Sequence, residues 1–344
     1  MSQSSGGGVD FTTTRIQTGS VFPRVYGEAL VELARERADV VCLSADLTSS
    51  TEIDLFRDAF PHRFFNLGIA EANAIGVAAG MARCGDLPFF HSFSVFASRR
   101  PFDQIAMQLA YPRTNVKLVG FLPGLTTLLG VSHQAIDDLA ILRALPNMTL
   151  IEPSGPEQFR SAVRAAAEHR GPVYLRIKRA ETRPIAEQPL FIGRGSVLRP
   201  GGDSPQAVVF ACGLMVANAL DAAARLSAQG IDIAVVNLPT IKPLDTELVI
   251  AEARRCGAVL TAENHSILGG LGSAVAETLM EAGVAARFRR VGIADRFAEG
   301  GSTPYLLQKY GLDATAVEDA VRRLVRDATH SAAECSSSDQ TAER

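Results

Sequence analysis

The chain has 344 residues, of which 47% are hydrophobic and 21% charged, an ordinary composition for a globular protein with a sizeable core. Its formal net charge of -3 and its lack of a basic run argue against nucleic-acid binding through bulk electrostatics. The five cysteines form no Cys-x-x-Cys pair, which argues against a zinc site. Because their number is odd and no signal peptide is recognisable, a reducing cytoplasm is the simplest expectation.

The first half of the chain predicts strands that alternate with helices. Strands are predicted at 40–47, 87–96, 115–121, 148–153 and 172–179. Helices are predicted at 69–85, 98–110, 135–145 and 156–170. Strands separated by helices are typical of parallel βαβ units in a doubly wound sheet.

The second half repeats this alternation after a linker at 180–195, where Pro and Gly interrupt any periodicity. Its strands are predicted at 207–213, 231–238 and 258–265, and its helices at 216–230, 247–257, 269–283 and about 314–327. We therefore expect an α/β protein with two consecutive doubly wound domains and mostly parallel sheets. The expected domains are residues 18–190 and 191–328, between flexible tails at 1–17 and 329–344.

Glu71 places a carboxylate in a run of small apolar residues, with no cation within one helical turn. A buried carboxylate without a partner costs free energy. Glu71 therefore either faces solvent at a helix N-terminus or meets a nitrogen base in a cofactor site.

Four phenylalanines follow within eight residues of one another: Phe89, Phe90, Phe93 and Phe96. They either fill a core or form an aromatic wall that stacks on a flat heterocycle. A basic pair after an aromatic strand is usually solvated, so Arg99 and Arg100 are expected at the surface. The nearness of this wall to Glu71 in the chain favours the cofactor interpretation.

Several segments resemble, in order and spacing, the pyrimidine-binding domain of transketolase. They are SADL (44–47), NLGIAEANAIGVAAGMA (66–82), LPFFHSFSVF (87–96), the segment 130–158 that begins GVSHQ, and GPVYLRIKR (171–179). The second unit resembles the transketolase C-terminal domain through AVVFACG (207–213), VVNLPTIKPLD (235–245), TAENHSILGGLGSAVAE (261–277) and YGL (310–312). The resemblance covers roughly residues 20–327, and the set of motifs is specific as a whole.

The resemblance implies an enzyme that uses thiamine diphosphate. Glu71 matches the glutamate that hydrogen-bonds N1′ of the aminopyrimidine and so promotes loss of the thiazolium C2 proton. Phe93 and Phe96 match the aromatic residues around the aminopyrimidine, and Asp46 matches an acidic residue near the cofactor.

The resemblance also assigns substrate contacts. His133 matches a histidine that touches the substrate and moves protons during carbonyl addition, and Arg179 matches an arginine that binds the sugar phosphate. Arg24 and the pair Ser49–Ser50, with Ser50 preferred, fall near further phosphate contacts. His91 and His265 receive no catalytic role.

The substrate loop departs from the family pattern. Common transketolases carry a histidine after the strand at 115–121, where this chain has Phe121 or Leu122. They also carry an aspartate before the substrate histidine, where the loop here reads GLTTLLGVSH (124–133). Loss of these polar groups implies a less hydroxylated donor or a specialised ketose.

The chain also lacks the GDG motif that holds the metal in the diphosphate-binding domain of transketolase, since Gly201-Gly202-Asp203 lies between the two domains. The resemblance therefore implies that a separate diphosphate-binding subunit holds Mg²⁺ and the diphosphate. This chain is expected to supply no metal ligand, and the expected assembly is an α2β2 heterotetramer.

Three functions remain open at this point. In the first, the chain is a subunit of a split transketolase that transfers a two-carbon ketol unit. In the second, it is a subunit of a carboligase that uses a decarboxylated keto acid. The second class includes proteins like the β subunit of 2-oxo acid dehydrogenase E1 and like 1-deoxyxylulose-5-phosphate synthase. A non-enzymatic regulatory subunit is the third, and the retention of Glu71, Phe93, Phe96 and His133 argues against it.

Overall fold

The computed structural model describes residues 24–178, 185 and 188–339, with side chains of the last helix described as far as Arg326. Its strands, numbered in chain order, are β1 Val40–Ser44, β2 Phe64–Asn66, β3 Leu87–Phe93, β4 Lys117–Phe121, β5 Thr149–Ile151, β6 Val173–Ile177, β7 Ser196–Arg199, β8 Ala207–Ala211, β9 Ile233–Asn237, β10 Thr240–Lys242, β11 Ala258–Ser266 and β12 Arg287–Ile293. Most of these segments are buried apolar runs, as expected for strands covered on both faces.

The helices are α1 Val25–Glu36, α2 Asp54–Ala59, α3 Glu71–Arg83, α4 Ser94–Arg99, α5 Phe102–Gln104, α6 Asp138–Arg143, α7 Pro156–Glu168, α8 Met215–Ser227, α9 Thr246–Cys256, α10 Leu271–Glu281, α11 Thr303–Lys309 and α12 Ala314–Asp339. A 3₁₀ turn spans Pro61–Arg63 and a π-helix spans Ile105–Ala110. Among the residues described, no helix is long and apolar enough to cross a membrane.

The strands form two mostly parallel sheets, which confirms the predicted fold class. The first has the order β10-β5-β6-β4-β3-β1-β2 and the second β12-β11-β8-β9-β7. Only the outer strands β10 and β7 run antiparallel to their neighbours. In the first sheet β1 is flanked by β2 on one side and β3 on the other, so the chain changes direction there. Doubly wound sheets bind ligands outside the carboxyl ends of strands at such a point.

The small side chains of α3 determine how this helix packs. Ala74 and Ala78, four residues apart on one helical face, are completely buried. They belong to the same core cluster as Phe90 and Leu43 of the underlying strands. The close approach fixes the N-terminal end of α3, and with it Glu71, beside the sheet edge.

Two predicted helices have different bounds in the structure. The helix predicted at 98–110 is divided into α4, α5 and the π-helix, and Pro101 stands at the break, where it cannot supply an amide hydrogen. The last helix was predicted to end near 327, but α12 continues to Asp339.

Four strands were not predicted from the sequence: β2, β7, β10 and β12. Two of them were missed for different reasons. β12, with the sequence RFRRVGI, carries arginines that mask its apolar alternation. β10 lies in the second half of the chain yet pairs with β5, through Thr240 and Ile151, in the first sheet. A strand from the second half of the chain therefore belongs to the sheet of the first half.

Candidate active site

The loops that follow β2, β3 and β4 meet at the carboxyl edge of the first sheet. Glu71 is the first residue of α3, five residues after the end of β2. Phe93 ends β3, and His133 lies in the loop that follows β4. Parallel strands deliver their carboxyl ends to one edge, so side chains distant in sequence are brought together there.

Glu71 is a buried carboxylate with an arginine partner. Its side chain is 3% exposed, and its Oε1 accepts a hydrogen bond of 2.6 Å from Nη1 of Arg100. The expected solvent exposure of the pair holds for Arg100, whose side chain is 45% exposed, and in part for Arg99, at 34%. Both arginines are nevertheless paired, since Arg99 donates to the Asp137 carboxylate at 2.7 to 3.0 Å. The sequence did contain a signal for the Glu71–Arg100 ion pair, since a buried Glu71 needs a cation and two arginines follow the four phenylalanines.

Arg100 also stacks on the aromatic wall. Its guanidinium carbon lies 3.9 Å from the centroid of the Phe96 ring. Phe93 is buried in the core beneath, with its ring centroid 6.0 Å from that of Phe96. Of the two phenylalanines, Phe96 therefore presents the more accessible face.

His133 completes this group. Its ring lies edge-on to Phe96 at 5.1 Å and to Phe93 at 6.1 Å between centroids. Burial, and secondly the positive charge of Arg100, lower the pKa of His133 from its ordinary value. We call Glu71, Phe93, Phe96, Arg100 and His133 the Glu71 cluster; the sequence had singled out all of them except Arg100.

The second half of the chain holds the loop that carries His133. Asn264 accepts a hydrogen bond from the Leu125 amide and donates one to the Pro123 carbonyl, each 3.0 Å long. Gln134 donates to the Glu299 carbonyl at 2.9 Å. The loop is thus fixed from the side opposite the first sheet.

Two of the other proposed ligand residues, Asp46 and Arg24, are paired with side chains distant in sequence. Asp46, exposed and in a left-handed conformation with φ of 61°, accepts a 3.1 Å hydrogen bond from Asn66. Arg24 forms an ion pair with Asp54, and Ser50 is buried. Arg179, to which sugar-phosphate binding was assigned, lies outside the described residues.

A second charged group, missed by sequence reasoning, lies between the two halves of the chain. Arg176 is completely buried and contacts Asp138 at 2.9 and 3.0 Å and Glu152 at 2.9 Å. It also donates to the carbonyls of Ala135 and Asn264, each at 3.0 Å. The contacts link β6, α6 and β5 to β11.

Two further buried groups adjoin Arg176 and its carboxylates. Glu263 accepts hydrogen bonds from the first amides of α10, and burial raises its pKa to about 7. His265 lies 3.7 Å from Glu263 and 3.9 Å from Asp138, and burial lowers its pKa to about 4. We call Arg176, Asp138, Glu152, Glu263 and His265 the interdomain network.

His91 is likewise buried. Its Nε2 lies 2.7 Å from the hydroxyl of Tyr26, and burial lowers its pKa to about 3. It is therefore neutral and packed inside the first domain. Within the described ranges, no group of three or more histidine, cysteine, aspartate or glutamate side chains is arranged to hold a metal ion.

Comparisons with known proteins identify the family of both domains. Residues 22–184 match the family model of the transketolase pyrimidine-binding domain, and residues 193–317 match that of the transketolase C-terminal domain. A 6-deoxy-6-sulfo-D-fructose transketolase subunit, SqwH, from Clostridium sp. (strain MSTE9), is 44% identical over 302 residues, which are 87% of this chain and 92% of that protein.

Two further relatives bear on assembly and chemistry. A solved split-gene transketolase, described as an inactive β4 tetramer, is 45% identical with a TM-score of 0.81, and the match covers 88% of this chain and 97% of that one. The 1-deoxy-D-xylulose-5-phosphate synthase of Syntrophotalea carbinolica is 36% identical over 88% of this chain and 48% of its own length. The chain belongs to the transketolase family, a family of thiamine-diphosphate-dependent enzymes, and contains its pyrimidine-binding and C-terminal domains.

Proposed function

We propose that this chain is one subunit of a split thiamine-diphosphate-dependent transketolase, which transfers a two-carbon ketol unit from a ketose or ketose phosphate to an aldehyde. The observation that carries the proposal is the Glu71 cluster, in which a buried carboxylate lies beside an accessible aromatic face. A histidine that can exchange protons borders the same face.

The residues of this cluster fit the aminopyrimidine of thiamine diphosphate. The carboxylate of Glu71 and the ring of Phe96 already hold a flat, nitrogen-bearing cation, the guanidinium of Arg100. In the proposed complex Glu71 would hold N1′ of the aminopyrimidine by sharing a proton with it, and Phe96 would hold the face of the ring, with Phe93 packed against Phe96. The bound cofactor supplies a carbon nucleophile for attack on the donor carbonyl.

His133 is proposed to move a proton at the substrate oxygen. Because burial lowers its pKa, its imidazole is neutral near neutral pH and can accept a proton. Arg179, Arg24 and Ser50 are proposed to contact a substrate phosphate, and Asp46 to lie near the cofactor.

The diphosphate and Mg²⁺ are proposed to bind on a partner subunit in an α2β2 heterotetramer. Apolar side chains that a partner could cover are exposed at Ile69, two residues before Glu71, and at Met107 and Tyr111. The related split-gene transketolase is described as an inactive β4 tetramer, and this supports the proposed need for a partner subunit.

A carboligase that uses a decarboxylated 2-oxo acid is the second candidate. It is supported by the 36% identity with 1-deoxy-D-xylulose-5-phosphate synthase. It is also supported by the loop 124–133, which carries no acidic residue and whose Leu125 is fully buried. Without a carboxylate the loop lacks one polar group that would recognise a donor hydroxyl.

Coexpression with the chain that carries the diphosphate-binding half tests both candidates. Native mass spectrometry should show two copies of each chain with bound thiamine diphosphate and magnesium. A donor screen then compares ketose phosphates with 2-oxo acids and measures released CO₂. Ketol transfer without CO₂ supports the transketolase, CO₂ release supports the carboligase, and activity of this chain alone contradicts the split-enzyme proposal.

A further inference from the structure

Arg100 occupies a particular position in the Glu71 cluster. It follows the last residue of α4 and turns its guanidinium to Glu71, whose Oε1 lies 2.6 Å from Nη1. The same guanidinium covers the face of Phe96 at 3.9 Å from the ring centroid. The Arg100 side chain is 45% exposed, whereas the Glu71 side chain is 3% exposed.

These two contacts are the ones that the proposed function assigns to the aminopyrimidine. A guanidinium is flat and delocalised, stacks on aromatic rings and donates hydrogen bonds to carboxylates in its own plane. An aminopyrimidine is also flat, stacks through its face and directs a ring nitrogen toward a carboxylate. Two flat groups cannot lie on the same face of Phe96 and bind the same oxygen of Glu71.

We propose that Arg100 takes the place of the aminopyrimidine in the chain without cofactor, and that cofactor binding displaces its guanidinium from Glu71 and Phe96. This inference rests on the proposed function. It adds that the aminopyrimidine position is occupied by a side chain of the same subunit and must be vacated.

Arg100 is suited to leave because it is weakly held. Among the described residues it makes a single side-chain hydrogen bond, to Glu71, and nearly half of the side chain is already in contact with solvent. While it stays, it gives the buried carboxylate of Glu71 an opposite charge that would otherwise be missing. Its presence reduces the fraction of molecules that can accept cofactor, which weakens the apparent affinity by the same factor.

The test measures the dissociation constant of thiamine diphosphate for the complex of this chain with its diphosphate-binding partner, by calorimetry in excess Mg²⁺. Arg100→Met removes the competing cation and keeps a side chain of similar length. We expect its dissociation constant to fall about threefold to tenfold, because a partly exposed ion pair no longer has to be broken. Arg100→Gln keeps a short, flat hydrogen-bond donor, so its dissociation constant should lie between those of the unaltered complex and Arg100→Met.

Arg99→Met is the matched control. It removes the neighbouring arginine and its contacts with Asp137, but it leaves the Glu71–Arg100 pair in place. Its affinity for thiamine diphosphate should equal that of the unaltered complex. A similar gain for both variants would indicate a general loss of positive charge and would overturn the proposal.

A second readout does not require the cofactor. The ring of His133 packs on Phe96, and the charge of Arg100 contributes to its lowered pKa. Nuclear magnetic resonance titration of His133 in this chain alone should therefore give a higher pKa in Arg100→Met than in Arg99→Met. Equal values would contradict the position assigned to Arg100, even if the partner were missing.

The outcomes separate this inference from the proposed function. Unaltered complex that binds thiamine diphosphate, with unchanged affinity in Arg100→Met, overturns the displacement alone. Weaker binding by Arg100→Met would make Arg100 a contact of the bound cofactor and would also overturn it. Complex that binds no thiamine diphosphate in any variant overturns the proposed function and the displacement together.

Discussion

Two arginine–carboxylate groups in this chain have similar components but are held differently. In the interdomain network, Arg176 is fully buried and its N–H groups meet two carboxylates and two backbone carbonyls. In the Glu71 cluster, Arg100 is half exposed and meets one carboxylate and one aromatic face. The many contacts of Arg176 hold the interdomain network in place, whereas Arg100 of the Glu71 cluster has few contacts and can move.

The difference follows from solvent access. Removing one member of a fully buried ion pair leaves a charge that water cannot reach, so both members are required for stability. A partly exposed arginine can be rehydrated when it leaves its partner, so the exchange costs little. A buried carboxylate next to a replaceable cation is therefore a better candidate for ligand binding than one whose cation is enclosed.

The largest expected effect on stability comes from the network. Arg176→Met should lower the free energy of unfolding by about 3–5 kcal/mol, because Asp138 and Glu152 would remain buried without their cation. Urea denaturation of the chain measures this. Arg164→Met, which removes a surface pair with Glu36, is the control and should leave the unfolding free energy nearly unchanged. Equal losses of unfolding free energy in Arg176→Met and Arg164→Met would contradict the distinction between a buried and an exposed ion pair.

Replacement of His133 tests the proposed catalytic role of the Glu71 cluster. In the assembled enzyme His133→Ala should lower kcat/KM about 100-fold, the lower range for loss of a general acid or base. Since the pKa of His133 is lowered, kcat/KM of the unaltered enzyme should decline only on the acid side of the ordinary histidine value. His62→Ala alters an exposed histidine of the first domain and should change neither quantity.

The pH dependence of the unfolding free energy tests the interdomain network through Glu263. Glu263 has a pKa raised to about 7 by burial, and its carboxylate adjoins Glu152, Arg176 and His265. A group whose pKa is raised in the folded state stabilises it below the unfolded pKa, and this contribution is lost as pH rises through the folded pKa. The stability that Glu263 contributes should thus decline from its ordinary titration range up to about pH 7.

Glu263→Gln should therefore gain stability relative to the unaltered chain as pH rises from about 5 to about 8. Denaturation at several pH values measures the difference between the two chains. Because His91 titrates in both chains, its opposite contribution cancels in this difference. Glu277→Gln alters a surface acid on α10, the helix whose first amides donate to Glu263, and should show no such trend. A flat difference for Glu263→Gln would contradict its raised pKa.

The smallest expected effect concerns the loop between the two regions. Asn264→Ala removes the two hydrogen bonds that hold Pro123 and Leu125, so the unfolding free energy should fall by about 1–2 kcal/mol. The KM for the donor should rise because the loop that carries His133 is less fixed. Asn218→Ala, which removes a hydrogen bond to the Leu312 carbonyl within the second domain, should leave KM unchanged.

Sequence reasoning predicted the α/β fold because apolar strands and helices alternate clearly along the chain. It selected Glu71, Phe93, Phe96 and His133 from motifs, and the structure places them together. It did not find Arg100 as the partner of Glu71, because an ion pair across 29 residues depends on tertiary packing around the start of α3.

The interdomain network was missed for a similar reason. Arg176 lies within an apolar strand pattern, and that pattern could not show that Asp138 of α6 and Glu152, which follows β5, surround its guanidinium. Strand β10 was missed because its pairing with β5 joins segments separated by about 90 residues. Contacts of this kind are set by tertiary packing and leave no local pattern.

The most direct test of the central claim is the turnover of the assembled enzyme with Glu71→Gln. The account predicts that kcat falls about 10²- to 10⁴-fold, the range for loss of an acid–base group, while the mass of the complex and its thiamine diphosphate content stay the same. An unchanged kcat in a cofactor-loaded Glu71→Gln complex would contradict the role assigned to Glu71.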